Sequence, residues 1–259
     1  MMAEPAAGPV AGYRTERHGR EYAAQRRTDP RLAARVHAAF GTARSVLNVG
    51  AGAGSYEPAD RYVAAVEPSA WMRAARPPHL PPAMDAFAEN LPFDDDSFDA
   101  GLAAATVHQW SDPARGLAEL RRVVRGPVVI LTFDPDALDR LWLVRYVPEL
   151  LEVEARRMPP ISTIAEHLGG SVEVQALPVP RDCVDGFAEA YYARPERFLD
   201  AYVRLAQSFW DFVDPEAAQR GLASLSAELD SGAWDQRFGQ LRGQPEFHGS
   251  LRLVVSRPG

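Results

Sequence analysis

Short apolar runs, each stopped by glycine, proline or an acid, alternate with amphipathic stretches along the first half of the chain. Ser45 to Val49 is such a run and ends in glycines, the pattern of a strand buried on both faces. Tyr62 to Val66, Met84 to Ala88, Phe98 to Ala104 and Val128 to Phe133 repeat the texture, Met84 to Ala88 most weakly. Between them Leu32, Val36 and Phe40, and later Leu117, Leu120 and Val124, recur at helical spacing. Asp29 before Pro30, and Ser69 before Trp71 and Met72, are placed to cap helices. Strands that alternate with helices in this way predict βαβ units and a parallel sheet.

After Pro135 the texture changes. Ala137 to Arg157 predicts one long helix carrying Leu141, Trp142, Val144, Tyr146 and Leu150, and Ile161 to Leu168 a short one closed by Gly169-Gly170. Val172 to Val179 alternates as a sixth strand, and Phe247 to Ser256 as the last. The stretch between, Asp182 to Ser231, reads as three helical pieces divided at Pro195 and Pro215.

Composition narrows the chemistry. The chain has 259 residues, a net charge of −7 and one cysteine, Cys183. The charge gives no expectation of nucleic-acid binding, no apolar run reaches a membrane span, and a lone cysteine fits a reduced, cytoplasmic setting. Met1 to Val10 lacks the pattern of a secretory signal and reads as a disordered leader. All 28 basic residues are arginine. Without lysine, Schiff-base chemistry, lysine-bound pyridoxal phosphate and a P-loop kinase are excluded.

The central motif is Val46-Leu47-Asn48-Val49-Gly50-Ala51-Gly52-Ala53-Gly54. A strand running into three closely spaced glycines lets backbone approach a ligand at the strand's carboxyl end. Two cofactor classes compete for it. A dinucleotide turn wants G-x-G-x-x-G with a pyrophosphate on the following helix, whereas this chain has G-x-G-x-G and a bulky Tyr56 beyond. A sulfonium nucleoside needs close backbone approach and an acid for its ribose diol. Glu67, directly after Tyr62 to Val66, stands where that acid belongs, although a solvated loop acid also fits the position.

With Val66-Glu67-Pro68-Ser69, Ala88-Glu89-Asn90-Leu91-Pro92-Phe93, Ser97-Phe98-Asp99, Val107-His108-Gln109-Trp110 and Glu119-Leu120-Arg121-Arg122-Val123 in order behind the glycine turn, the stretch from Tyr22 to Asp134 resembles the class I S-adenosylmethionine-dependent methyltransferases, specifically the bacterial group related to ubiquinone/menaquinone-biosynthesis enzymes. The resemblance implies a doubly wound, Rossmann-like α/β fold with a seven-stranded, mostly parallel sheet, its last strand antiparallel, and a helical lid. It implies one domain, with core about 30–134, 170–180 and 246–257 and lid about 13–28 and 181–245. It implies S-adenosylmethionine as cofactor and S-adenosylhomocysteine as product. Gly50, Ala51 and Gly52 would face the methionine and ribose, Glu67 the ribose hydroxyls, and Pro68 with Trp71 or Met72 the adenine. Ala88 and Glu89 would flank the adenine edge. Phe87 stands where relatives often carry an aspartate for the adenine amino group, so it stacks there or backbone takes over. Ala104 would line the transfer site, and Tyr22 and Arg26 match positions that close over the cofactor.

Transfer from an activated sulfonium needs alignment more than acid–base help. His108, at the rim after the fourth strand, is the candidate base, and packing with Trp110 is its structural alternative. Trp110, Tyr191 and Tyr192 are the candidate acceptor-pocket residues, with Tyr191 and Tyr192, being adjacent, not expected to face inward equally. The other histidines, His18 among them, lack metal-ligand spacing, and no metal is expected. The expectation is methyl transfer to the oxygen, nitrogen or carbon of a small organic acceptor, secondary metabolism included, by a monomer or homodimer. A non-catalytic S-adenosylmethionine-binding scaffold of the same fold is the alternative.

Overall fold

Strand residues divide between two faces because successive side chains of a strand alternate. In β1 (Ser45–Val49), Val46 joins one apolar cluster while Leu47 and Val49 join the other. The same alternation runs through β2 (Tyr62–Val66), β3 (Ala100–Ala104) and β4 (Val128–Phe133). The computed structural model describes residues 22–259. The leader, His18 and the part of the expected lid before residue 22 lie outside the described residues.

The main sheet has the order β2-β1-β3-β4-β8-β5, with β5 at Ser171–Ala176 and β8 at Leu251–Arg257. The ladders from β2 to β4 are parallel, and β8 runs antiparallel between β4 and β5. The expected last strand is therefore antiparallel, but it begins only at Leu251. Phe247 pairs elsewhere, in the ribbon of β6 (Val179–Pro180) with β7 (Glu246–Phe247). Pro178 breaks the sixth strand at that point, since it can donate nothing to a ladder.

The third expected strand, Met84 to Ala88, is reduced to a single parallel bridge from Met84 to Val66. Pro81 and Pro82 precede it, and Asn90 N–H bonds back to Phe87 C=O, so the chain turns instead of extending. Hence six strands form the ladders and the seventh contributes one pair.

Helices α1 (Pro30–Ala39) and α2 (Ala70–Ala74) begin at the expected caps: Asp29 accepts from Arg31 N at 3.0 Å and Ser69 from Met72 N at 3.3 Å. Helix α3 (Pro113–Val123), capped by Asp112, packs with α5 (Ile161–Leu168) on one face of the sheet. The long helix expected from Ala137 is instead two 3₁₀ turns, Pro135–Arg140 and Trp142–Arg145, followed by α4 (Glu149–Arg157). Pro148 explains the break: it lacks an N–H and would clash within a helix, at a cost of about 3 kcal/mol.

The lid follows the same rule. Before α6 (Pro215–Asp230) and α7 (Ala233–Phe238) it is built of short turns at Ala188–Tyr191, Pro195–Leu199, Ala201–Arg204 and Ser208–Asp211, not of two long helices. Its aromatics cover α1's side of the sheet. Trp142 lies edge-on to Phe198 and Trp234 at 5.5 and 5.3 Å.

Candidate functional site

The glycine turn closes over β1 through backbone bonds that only a left-handed chain can make. Gly50, Gly52 and Gly54 have φ of +66°, +50° and +97°. Ala51 N–H reaches Val66 C=O at 2.9 Å and Gly54 N–H reaches Ala51 C=O at 2.8 Å. A Cβ on Gly50 would stand 2.1 Å from Thr106 Oγ1, so the turn and the rim beyond β3 fit together only without a side chain there.

Glu67 sits at the end of β2 with 7 % of its surface exposed. One carboxylate oxygen accepts from Gly52 N at 2.9 Å and the other from Ser69 N at 2.8 Å. Each oxygen keeps a lone pair for a further donor. Burial pushes its carboxyl above the ordinary range, and the two backbone donors and Arg73 oppose that shift. Met72 is buried beneath the turn, whereas Trp71 and Phe87 are exposed at its side. Ala88 is buried, and Glu89 turns toward α3, accepting from Ser111 Oγ and Asp112 N.

A buried polar group under the turn escaped sequence reasoning. Glu57 takes two bonds from Arg76 at 3.0 Å and one from Asn48 Nδ2 at 2.9 Å, while Arg76 also holds Gly52 C=O at 3.3 Å. Nothing local marks Glu57, because its partners are 9 and 19 residues away.

A second network ties the N-terminal segment down. Arg26 Nε donates to Asp185 at 2.6 Å and its NH1 to Tyr22 Oη at 3.1 Å. Tyr56, itself at φ +64°, donates its hydroxyl to the other oxygen of Asp185 at 2.8 Å. Burial and the Asp185 charge raise the Tyr56 hydroxyl well above its usual pKa, so it remains a donor. Gly186 N–H to Gln25 C=O at 3.0 Å completes the clasp. Cys183 beside it is buried and its thiol is pushed up to about 12, chiefly by burial, which removes thiolate chemistry.

Beyond β3 the chain strains. Ala105 has φ +52°, a conformation that costs a non-glycine residue about 1–3 kcal/mol and recurs at functional sites. Ala105, His108 and Gln109 form one wall of a pocket whose other walls are Phe133 at the end of β4, Leu138, Leu141, Leu150, Met158, Phe187, Phe209 and the polar Glu154, Glu189, Gln207 and Ser250, with Tyr22 and Arg26 at its edge. The space between these walls, with the open mouth included, is about 660 Å³. Ligands of open α/β sheets bind at such carboxyl ends.

Trp110, Tyr191 and Tyr192 do not line this pocket. Trp110 packs over Gly116 and Ala88 on α3's face of the sheet. Tyr191 and Tyr192 are both buried, against the expectation that the two would not face inward equally. They lie where a 3₁₀ turn meets two packed layers: Tyr191 is edge-on to Phe198, and Tyr192 stacks on Phe247 at 5.0 Å.

His108 is 8 % exposed and its Nδ1 has no hydrogen-bond partner. Burial first, then the charges of Arg157 and Arg26, lower its pKa to about 3. Such an imidazole is neutral at working pH and a weak proton acceptor. The unfolded chain takes up this proton below pH 6.5, the folded chain only near 3, so His108 costs stability as pH falls between those values. Urea titrations should therefore show wild type losing at most about 3 kcal/mol more than His108→Asn between pH 6.5 and 4. Parallel pH curves for the two proteins would refute it.

Among the described residues no group of three His, Cys, Asp or Glu could hold a metal ion, and no helix is long and apolar enough to cross a membrane. A family model described as a methyltransferase domain matches residues 47–131, from β1 through β4. A crystal structure from Anabaena variabilis, assigned as a methyltransferase of an antibiotic biosynthesis pathway, is 30% identical over 90% of this chain and 99% of its own, with a TM-score of 0.82. An uncharacterized methyltransferase of Mycobacterium bovis is 43% identical over 91 residues, 32% of this chain and 36% of its own length. A rice chloroplastic 2-methyl-6-phytyl-1,4-hydroquinone methyltransferase is 36% identical over 67 residues, 26% of this chain and 19% of its own length. The chain thus spans well under half of these two curated relatives.

Proposed function

This chain belongs to the class I S-adenosylmethionine-dependent methyltransferases, and we propose that its acceptor is a small, mainly apolar organic molecule seated in the pocket between the ends of β3 and β4. S-adenosylmethionine, when bound, supplies an activated sulfonium methyl. The residues fit that cofactor: the positive-φ backbone of Gly50 and Gly52 turns at the end of β1 packed directly against Thr106 and Met72, with no side chain of its own, and Glu67 keeps lone pairs for a diol. In this reading Gly50, Ala51 and Gly52 hold the methionine and ribose, Glu67 the ribose hydroxyls, and Pro68, Met72, Phe87 and Ala88 the adenine. Glu89 shapes that side through Ser111 and Asp112, and Ala104 borders the reacting methyl. Tyr22 and Arg26, clasped by Asp185, shut the site against water. The core of residues 30–134, 170–180 and 246–257 carries the cofactor, and the lid of residues 181–245 roofs the acceptor within the same domain.

The observation that carries the acceptor reading is the pocket itself, apolar on most walls and opening from the strained rim at Ala105. The Anabaena relative's antibiotic pathway supports an acceptor from secondary metabolism. His108, held neutral, orients the acceptor by a hydrogen bond and leaves proton removal to another group. Calorimetry should show S-adenosylhomocysteine binding in the micromolar range, usual for enzyme ligands. Incubation of S-adenosylmethionine with a panel of small aromatic and alicyclic compounds should yield a methyl mass gain. Absence of cofactor binding would sink the cofactor assignment; gain only on peptides or nucleic acid would sink the acceptor.

A further inference from the structure

Glu189 is a pocket carboxylate with one buried oxygen left over. It is 3 % exposed. Its Oε1 accepts from Ser250 N at 2.6 Å and Ser250 Oγ at 2.7 Å, while its Oε2 is buried without any hydrogen-bond partner. The other pocket carboxylate, Glu154, is paired with Arg157. A buried acceptor without a donor costs about 1–3 kcal/mol, more when charged, so a chain that keeps one in a ligand pocket keeps it for a reason. The seat is also cleared for it: a Cβ on Gly249 would lie 2.3–2.5 Å from the carboxylate atoms. Ser250 C=O accepts from Asp134 N at 2.8 Å, which anchors Glu189's partner to the end of β4, in the pocket that Ala105 and His108 also line.

We propose that Glu189 receives the proton of an acceptor that attacks through a hydroxyl group; this rests on the acceptor reading above. The hydroxyl oxygen forms its bond to the methyl carbon as the carbon–sulfur bond breaks, with that electron pair left on sulfur. The O–H proton passes to Glu189 Oε2. A sulfonium cation and a carboxylate are both neutralised, which a dry pocket favours. Burial, opposed by the Ser250 donors, the Leu251 backbone N–H and Arg252, holds the Glu189 carboxyl above the ordinary glutamate range, the direction that suits a general base near neutrality. His108, kept neutral beside the same pocket, does not compete for the proton.

Glu189→Gln keeps an oxygen for Ser250 and loses only the proton acceptor. The test combines steady-state rates with a panel of phenols, enols and alcohols, matched to amines of the same frame, and calorimetry with S-adenosylhomocysteine. The expected result is unchanged S-adenosylhomocysteine affinity, a KM for hydroxyl acceptors within several-fold of wild type, and kcat lower by roughly 100- to 10,000-fold. Ser250→Ala, which removes the hydroxyl bond to Oε1 but leaves the backbone donor and the carboxylate, should keep most of kcat. Equal losses in the two variants make the role structural and overturn the proposal, as does wild-type kcat in Glu189→Gln. A wild type that methylates only the amines overturns it too, yet leaves the small-acceptor reading standing. A wild type that methylates no compound of the panel removes both.

Discussion

Gly50→Ala is expected to abolish measurable S-adenosylhomocysteine binding and to lower stability at once. At φ +66° an alanine is strained by about 1–2 kcal/mol. The larger effect is steric: the new methyl would stand 2.1 Å from Thr106 Oγ1 and 2.9 Å from its Cβ and Cγ2. Thr106 is buried and follows the strained Ala105, so it has little room to yield. Either the glycine turn or the β3 rim must move, and in this reading both touch the cofactor. Gly41→Ala is the internal control, since its φ of +57° brings the same strain with nothing within 4 Å. Calorimetry should find cofactor affinity lost in the first variant, by about 100-fold or more for a rise near 3 kcal/mol, and retained in the second. Equal affinity in both would mean that the turn does not touch the cofactor.

Asp185→Asn should be the most destabilising change away from the glycine turn. Arg26 and Asp185 are 12% and 2% exposed, and removing one partner of a buried pair costs about 3–5 kcal/mol because the other charge is stranded. In a chain of this size that corresponds to a fall of roughly 10 °C in Tm. Tyr56→Phe removes one donor to that carboxylate but strands no opposite charge, and should cost less, about 1.5–3 kcal/mol. Cofactor affinity should fall with Asp185→Asn as well, because the clasp holds Tyr22 and Arg26 over the pocket edge. A double variant with Arg26→Met should be no less stable than Asp185→Asn alone, since it removes the stranded charge. Additive losses in a thermal-melt cycle would show that the two side chains act independently.

What could be read from the chain was local. The glycine turn is a run of nine residues whose meaning lies in their order, and Glu67 follows its strand directly. The caps at Asp29 and Ser69 stand beside the helices that they start. Glu119 and Arg122, three apart in one motif, form an ion pair at 2.7 Å; Glu119 also accepts from Leu91 N at 3.0 Å and Arg122 holds Phe93 C=O at 2.9 Å, locking the loop that leads to β3. Asp99 likewise joins the starts of β1 and β3 by accepting from Arg44 and Ser45 N–H.

Misreadings arose where a single competing residue outweighed the periodic pattern. Pro148 divided a helix whose apolar spacing was sound, and Pro81 and Pro82 with the turn at Phe87 left the third strand one bridge. Tyr191 and Tyr192 looked like pocket residues because adjacent aromatics stand out in a sequence. Their rings are used to join the lid to the sheet.

By itself the sequence determined the strand–turn–acid unit that marks the cofactor, since those contacts lie within a few residues of one another. Tertiary structure alone decided the pocket at the ends of β3 and β4, the Arg26–Asp185–Tyr56 clasp and the unpartnered oxygen of Glu189. Their partners are 129 and 159 residues apart for the clasp and 61 for Glu189 and Ser250. No spacing in the chain can encode such pairs, because burial and hydrogen bonding select them only after the sheet has brought its strand ends together.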